Sequence, residues 1–144
     1  MTSQLFFEDI SVGDTVPALV KKPSTQQLVK YAGASGDYYQ IHYDTAFAAR
    51  AGHKSVIIHG ALKSAWLAQL MTDWMGDEGR LVELAVSYRA IDYPDDTITC
   101  RGTVKETRIE NGVGLVDCEI GLENGEGQVT TPGRATVSLP RREG

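Results

Sequence analysis

The sequence predicts an α+β fold in which a curved antiparallel sheet wraps one long central helix, and three observations lead there. From Ala61 to Met75, ten of fifteen residues are apolar, including Leu62, Trp66, Leu67, Leu70, Met71 and Trp74. Apolar side chains on most sides of a helix mean that it is buried and not merely laid on a surface. Downstream, apolar and polar residues alternate at period two: Val82, Leu84, Val86 and Tyr88 against Glu83, Ser87 and Arg89, then Ile98, Cys100 and Val104 against Thr99, Arg101 and Lys105. Val116, Cys118, Ile120 and Leu122 repeat the pattern, as do Ala135, Val137 and Leu139. Such alternation marks half-buried antiparallel strands. Thirdly, Pro94-Asp95-Asp96, Asn111-Gly112 and Asn124-Gly125 supply turns between these runs, which predicts a four-stranded meander.

Before the buried helix, the chain is polar and helix-capable. Ser24 is placed to cap a short helix through Gln26, Leu28, Val29 and Tyr31 that stops in Gly33-Ala34-Ser35-Gly36. Asp44 is placed to cap a second, containing Phe47, Ala48 and Ala49 and ended by Gly52. Neither builds a core alone, so one sheet and one helix must bury each other, which is the hot-dog arrangement. No linker or internal repeat divides the sequence, and residues 1–144 read as one domain. An open sheet leaves unpaired ladder groups at its edges, and pairing two copies edge to edge as a homodimer removes them.

Composition narrows the function. With 42% hydrophobic residues in 144, the chain can bury a core without disulfides or a structural metal. Lys63, Ser64, Gln69, Thr72 and Asp73 interrupt the longest apolar stretch, so no membrane span is expected. The N-terminus has no basic residues leading an apolar run, and the expectation is a cytoplasmic protein. A net charge of -5 argues against a general nucleic-acid surface. Cys100 and Cys118 fall within strands and read as small buried thiols. Nothing has the spacing of a zinc set or a nucleotide-binding glycine fingerprint.

The densest chemistry is Ser35-Gly36-Asp37-Tyr38-Tyr39-Gln40-Ile41-His42, followed by His59-Gly60 at the start of the buried helix. This pattern resembles the MaoC-like, (R)-specific enoyl-CoA hydratase family, in which Ser-Gly-Asp-x-Asn-Pro-x-His precedes a His-Gly pair. Phe7-Glu8-Asp9-Ile10 with Val12-Gly13-Asp14, and Tyr93-Pro94-Asp95-Asp96-Thr97, resemble the same family's opening segment and inter-strand turn, so the likeness covers nearly the whole chain. The chain departs from it at Tyr39 and Gln40, where the motif usually has Asn and Pro, and at Ala68, where the better-known hydratases carry a serine.

The resemblance implies a hydratase or dehydratase acting on an acyl-CoA or acyl-carrier-protein thioester. In it, Asp37 and His42 hold and deprotonate water, the backbone N–H of Gly60 binds the thioester oxygen, and no cofactor or metal is needed. Chemistry agrees: adding water to an α,β-unsaturated thioester needs a base, a proton for the α-carbon and stabilisation of an enolate oxygen. Imidazole accepts protons near neutrality, and a glycine at a helix N-terminus leaves an accessible N–H in a positive field. Two other readings are set beside this one. The departures point to a non-catalytic or partner-dependent subunit of a heteromeric hydratase built with another MaoC-like chain, and the fold also supports thioesterases. His59 is expected to fix the start of the helix, His53 to be a solvated loop residue, and Tyr38, Tyr39 and Tyr43 to pack with their hydroxyls at a wet edge. Arg50, Lys54, Lys63, Arg80 and Arg89 read equally as exposed charges or as a set that includes a phosphate-binding subset.

Overall fold

The computed structural model describes residues 3–142. Five strands, β1 (Thr15–Lys21), β2 (Arg80–Val86), β3 (Ile98–Glu110), β4 (Val113–Glu123) and β5 (Val129–Leu139), form one antiparallel sheet in the order β1-β3-β4-β5-β2. Alternate residues of its three central strands face inward: Ile98, Cys100 and Val104, then Val116, Cys118, Ile120 and Leu122, then Ala135, Val137 and Leu139, all buried. Helix α3 (Gly60–Met75) lies against this face through Leu62, Trp66, Leu67, Leu70, Met71 and Trp74. Each fully buried leucine there contributes about 1.5–3 kcal/mol relative to exposure. The α+β hot-dog arrangement expected from the pattern is the one observed.

The topology corrects the expected meander. Strands β3, β4 and β5 are joined as a meander, but β2 does not pair with β3; it crosses to the opposite edge and pairs with β5. The sequence pattern also passed over β1. Its register slips between Val16 and Leu19, around Pro17, which breaks the alternation by which a strand is read. A second slip, between Leu81 and Glu83, turns Val82 outward to 59% exposure, while Leu81, Leu84 and Val86 pack against the core. Tyr88 lies beyond the end of that strand. Helix α3 is not buried on every side: Ala61, Ala65, Thr72 and Asp73 form an exposed stripe, because five strands cover only part of its circumference.

The turns form as their residues require. Asn111 and Gly112 take φ of 52° and 80°, the paired left-handed conformations of a tight β3–β4 hairpin. Helix α1 (Thr25–Ser35) is capped by Ser24 Oγ, which accepts from Gln27 N at 3.2 Å. Helix α2 (Thr45–Arg50) is capped by Asp44 Oδ1, which accepts from the N–H groups of Ala46 and Phe47. Each cap contributes about 1 kcal/mol. No helix among the described residues is long and apolar enough to cross a membrane.

Cys100 and Cys118 are free and sit between sheet and helix. Burial pushes their thiols up to about 12 and about 11, respectively, so little thiolate forms near neutral pH. Neither thiol is therefore expected to react with a disulfide reagent at about pH 8 in the native protein. Both should react once denaturant unfolds the chain, which a spectrophotometric thiol titration measures directly.

Candidate active site

The loop after α1 is built by short-range hydrogen bonds before it carries any chemistry. Ser35 Oγ donates to Tyr31 O at 2.7 Å and accepts from the N–H of Asp37 at 3.2 Å. Asp37 Oδ1 in turn accepts from the N–H of Tyr39 at 3.3 Å, closing an Asx turn and leaving Oδ2 free. A single 3-10 turn, Gln40–His42, then buries Ile41 and His42. A short extended segment, Val56 to Ile58, runs alongside: Ile57 N donates to Ile41 O at 3.1 Å, and Ile58 N donates to Asp92 O at 2.9 Å. That segment leads directly into His59 and α3, so loop and helix start are joined by main chain.

These ties bring Asp37, His42, His59 and Gly60 together. His42 Nδ1 donates to Ile57 O at 2.8 Å. Because a carbonyl oxygen only accepts, the proton of neutral His42 sits on Nδ1 and the lone pair on Nε2. Nε2 lies 3.8 Å from Asp37 Oδ2. This is too long for a direct hydrogen bond and close enough for one water to contact both atoms. His42 is buried, whereas the Asp37 side chain is 49% exposed, so water reaches the pair from the Asp37 side.

His59 is buried and stacks face to face on His42, with ring centroids 3.7 Å apart and planes 18° from parallel. The ring of Tyr31 meets it edge-on at 4.8 Å. Neither His59 nitrogen has a protein hydrogen-bond partner. Burial lowers its pKa, the neighbouring His42 lowers it further, and Asp37 acts in the opposite direction. Donor atoms of Asp37, His42 and His59 all lie within 4.8 Å of one another. The two stacked rings, however, hold their lone pairs in near-parallel planes, which do not converge as the ligands of one ion do.

Helix α3 begins at Gly60 without a side-chain cap, and no acceptor within the described residues meets the N–H of Gly60, Ala61 or Leu62. A cavity of about 360 Å³ opens here, with His42, Gly60, Lys63, Tyr88 and Ile91 in its wall. A Cβ on Gly60 would approach the ring of Tyr88 to 3.1 Å, so the glycine permits a close approach at this point. Tyr88 itself is bonded to Ser64 through the two hydroxyl groups.

Several expectations change here. Lys63 is no surface charge: its Nζ donates to Asp92 Oδ2 at 3.0 Å and to Ala90 O at 3.2 Å, and both side chains are buried. Asp92 also accepts from the hydroxyl of Thr130 on β5. Removing one partner of such a pair costs about 3–5 kcal/mol, whereas apolar residues in place of both are often neutral or stabilising. Position 63 lies on the same helical face as buried Trp66, Leu67 and Leu70 and so belongs to the core; a lysine at a core position was the missed signal. Tyr38, Tyr39 and Tyr43 do not pack inside: they are 62%, 57% and 40% exposed, because the 3-10 turn directs Ile41 and His42 inward instead. His53 is half-buried beside Tyr93 rather than solvated.

A wrapped helix whose open N-terminus lies beside a carboxylate and an imidazole defines the class: a hot-dog domain with those two side chains next to orphan backbone donors. The chain belongs to the MaoC-like family, since residues 9–124 match the MaoC like domain. It is 26% identical over 140 residues to the 3-hydroxybutyryl-CoA dehydratase of Methylorubrum extorquens, covering 96% of this chain and 87% of that one. The same identity over 132 residues relates it to the 3-oxo-4,17-pregnadiene-20-carboxyl-CoA hydratase beta subunit of Mycobacterium tuberculosis, covering 92% and 97%. It is 29% identical over 121 residues to the fatty acid synthase subunit beta of Gibberella zeae, covering 83% of this chain but only 6% of that far longer protein. Among solved structures, the (R)-hydratase from A. caviae superposes with a TM-score of 0.83 at 22% identity, covering 92% of this chain and 99% of the other.

The lowered pKa of His59 carries a sign. The unfolded chain binds its proton at about 6.5 and the folded chain only below that. The unfolded state therefore holds more protons just under this pH, and stability falls with acidification. Thermal unfolding from pH 7 to about 5.5 should show a larger loss of Tm for the wild type than for His59→Gln, which has nothing to protonate there.

Proposed function

We propose that the chain adds water to a trans-2-enoyl thioester, of coenzyme A or an acyl-carrier protein, to give the 3-hydroxyacyl thioester, and runs the reverse dehydration. The observation that carries this reading is the 3.8 Å gap between Asp37 Oδ2 and His42 Nε2, beside the free N–H of Gly60. A water in that gap donates one proton toward each group, which aims its oxygen at the β-carbon. As the C–O bond forms, Nε2 takes the water's proton, the alkene π electrons move onto the carbonyl oxygen as an enolate, and Gly60 N–H stabilises that oxygen. The enolate then collapses, and the His42–Asp37 pair returns a proton to the α-carbon, so that one water has been added across the double bond. The Ile57 carbonyl keeps Nδ1 protonated throughout, and the Asp37 carboxylate offsets the positive charge on the imidazolium. Every group this needs is a side chain or a backbone N–H, so the reaction calls for no cofactor.

A homodimer joined along the free edge of β2 belongs to the same proposal. Val82 faces outward there, and the cavity wall formed by Tyr88 and Ile91 is 54% and 43% exposed, so a second copy would bury both the edge and the rim of the site. Two buried, unpaired cysteines are in keeping with a cytoplasmic protein.

The test gives the purified chain a panel of trans-2-enoyl-CoA esters while loss of the conjugated enoyl thioester and release of free CoA are followed together. Hydration without CoA release is expected; CoA release would instead indicate a thioesterase. Activity only after a second MaoC-like chain is added would indicate a subunit of a heteromer. Asp37→Asn and His42→Ala should each lower turnover by at least about 10², with the double variant losing little more than either. An Asp37→Asn enzyme with wild-type turnover would falsify this reading. Light scattering at micromolar concentration should give twice the 15.7 kDa chain mass, and a monomer with full activity would remove the dimer.

A further inference from the structure

Lys63 is charged, buried and takes no part in the proton transfers just described. It stands three residues after Gly60, within the first turn of α3, and lines the same cavity as His42 and Tyr88. Two of its three N–H groups are used by Ala90 O and Asp92 Oδ2. Its ammonium lies 5.6 Å from the centre of the Tyr88 ring, the ring that approaches Gly60. Asp92 is not part of that wall. Its carboxylate is completely buried behind the lysine, held by Thr130, with Oδ1 left without a partner. Lys63 thus stands between this cavity and Asp92, which lines a neighbouring cavity with Lys54 and Tyr93.

A buried ion pair is weak evidence of a stabilising role, since apolar residues in place of both partners are often neutral or stabilising. A fixed dipole in a poorly screened wall does have an effect on charge that develops beside it. We propose that Lys63 is a positioning residue for the hydration, setting the field at the thioester oxygen. Anchored by Asp92, its ammonium keeps the start of α3 at positive potential as the carbonyl becomes an enolate, supplementing the N–H of Gly60. The inference rests on Gly60 being the carbonyl-oxygen donor.

Three variants test it on the purified chain with its best enoyl-CoA substrate: Lys63→Met, Asp92→Asn and the double variant Lys63→Met/Asp92→Leu. Turnover, KM and Tm are measured for each, with Asp37→Asn run alongside. Both single variants break the ion pair and should lower Tm. Lys63→Met and the double variant should lose turnover by about tenfold or more with KM within about threefold, a smaller loss than for a donor in direct contact with the oxyanion. Asp92→Asn, which keeps the ammonium and an oxygen to anchor it, should stay within about threefold of wild-type turnover. The double variant fills the wall with apolar side chains and keeps the test open if Lys63→Met does not fold. Wild-type turnover in the double variant overturns the proposal, as does an equal loss of turnover in Lys63→Met and Asp92→Asn. Should Asp37→Asn retain full turnover, the hydratase reading itself fails; an inactive Asp37→Asn beside a fully active double variant removes the role of Lys63 alone.

Discussion

The site depends on a three-residue segment, Val56 to Ile58, held by hydrogen bonds to chain on both sides. Ile57 bonds to Ile41 through its N–H and to the His42 ring through its carbonyl, while Ile58 donates to the carbonyl of Asp92. The next two residues are His59 and Gly60. These bonds therefore fix the distance from the imidazole to the helix start, and do so with main-chain atoms whose positions do not vary with rotamer. Val56 and Ile58 are buried, so the segment is anchored in the core as well as bonded at its margins. Loops are usually the mobile parts of a fold; here Ile41 and His42 are tied to the element that enters the core.

This construction explains which parts of the molecule were legible in the sequence. Helix α3 and strands β3 to β5 could be read because one face of each is buried and the apolar residues return at the period of the element. Asp37, His42 and Gly60 stood out because carboxylate, imidazole and glycine are chemically distinctive and the spacing among them resembles a known family. Strand β1 could not be read, since Pro17 and the slipped register remove its alternation. The crossing of β2 to the far edge was hidden because alternation reveals that a strand exists but not which strand is its neighbour. Lys63 and Asp92 were hidden by distance: they lie 29 positions apart, and each alone has the composition of a surface residue.

The electrostatics of the region balance charge against burial. His59 stacks on His42, and burial lowers its pKa, so it fills the space behind the His42 ring in its neutral form near pH 7. The aromatic stack of Tyr31, His59 and His42 thus gives the imidazole a flat backing on one face, with Asp37 and the cavity beyond it on its other sides.

The outer face of the sheet differs from its inner one. Arg101 meets Glu123, Lys105 meets Glu119, Arg108 meets Asp117, and Arg134 meets Glu83, each bond running from one strand to its neighbour. Exposed pairs of this kind add little to folding stability. Their consequence is colloidal: a face tiled with alternating charge keeps its hydration and resists the flat stacking by which sheets aggregate. Self-association is thereby left to the sheet's rim, where backbone pairing in a fixed register takes the place of nonspecific face-to-face stacking.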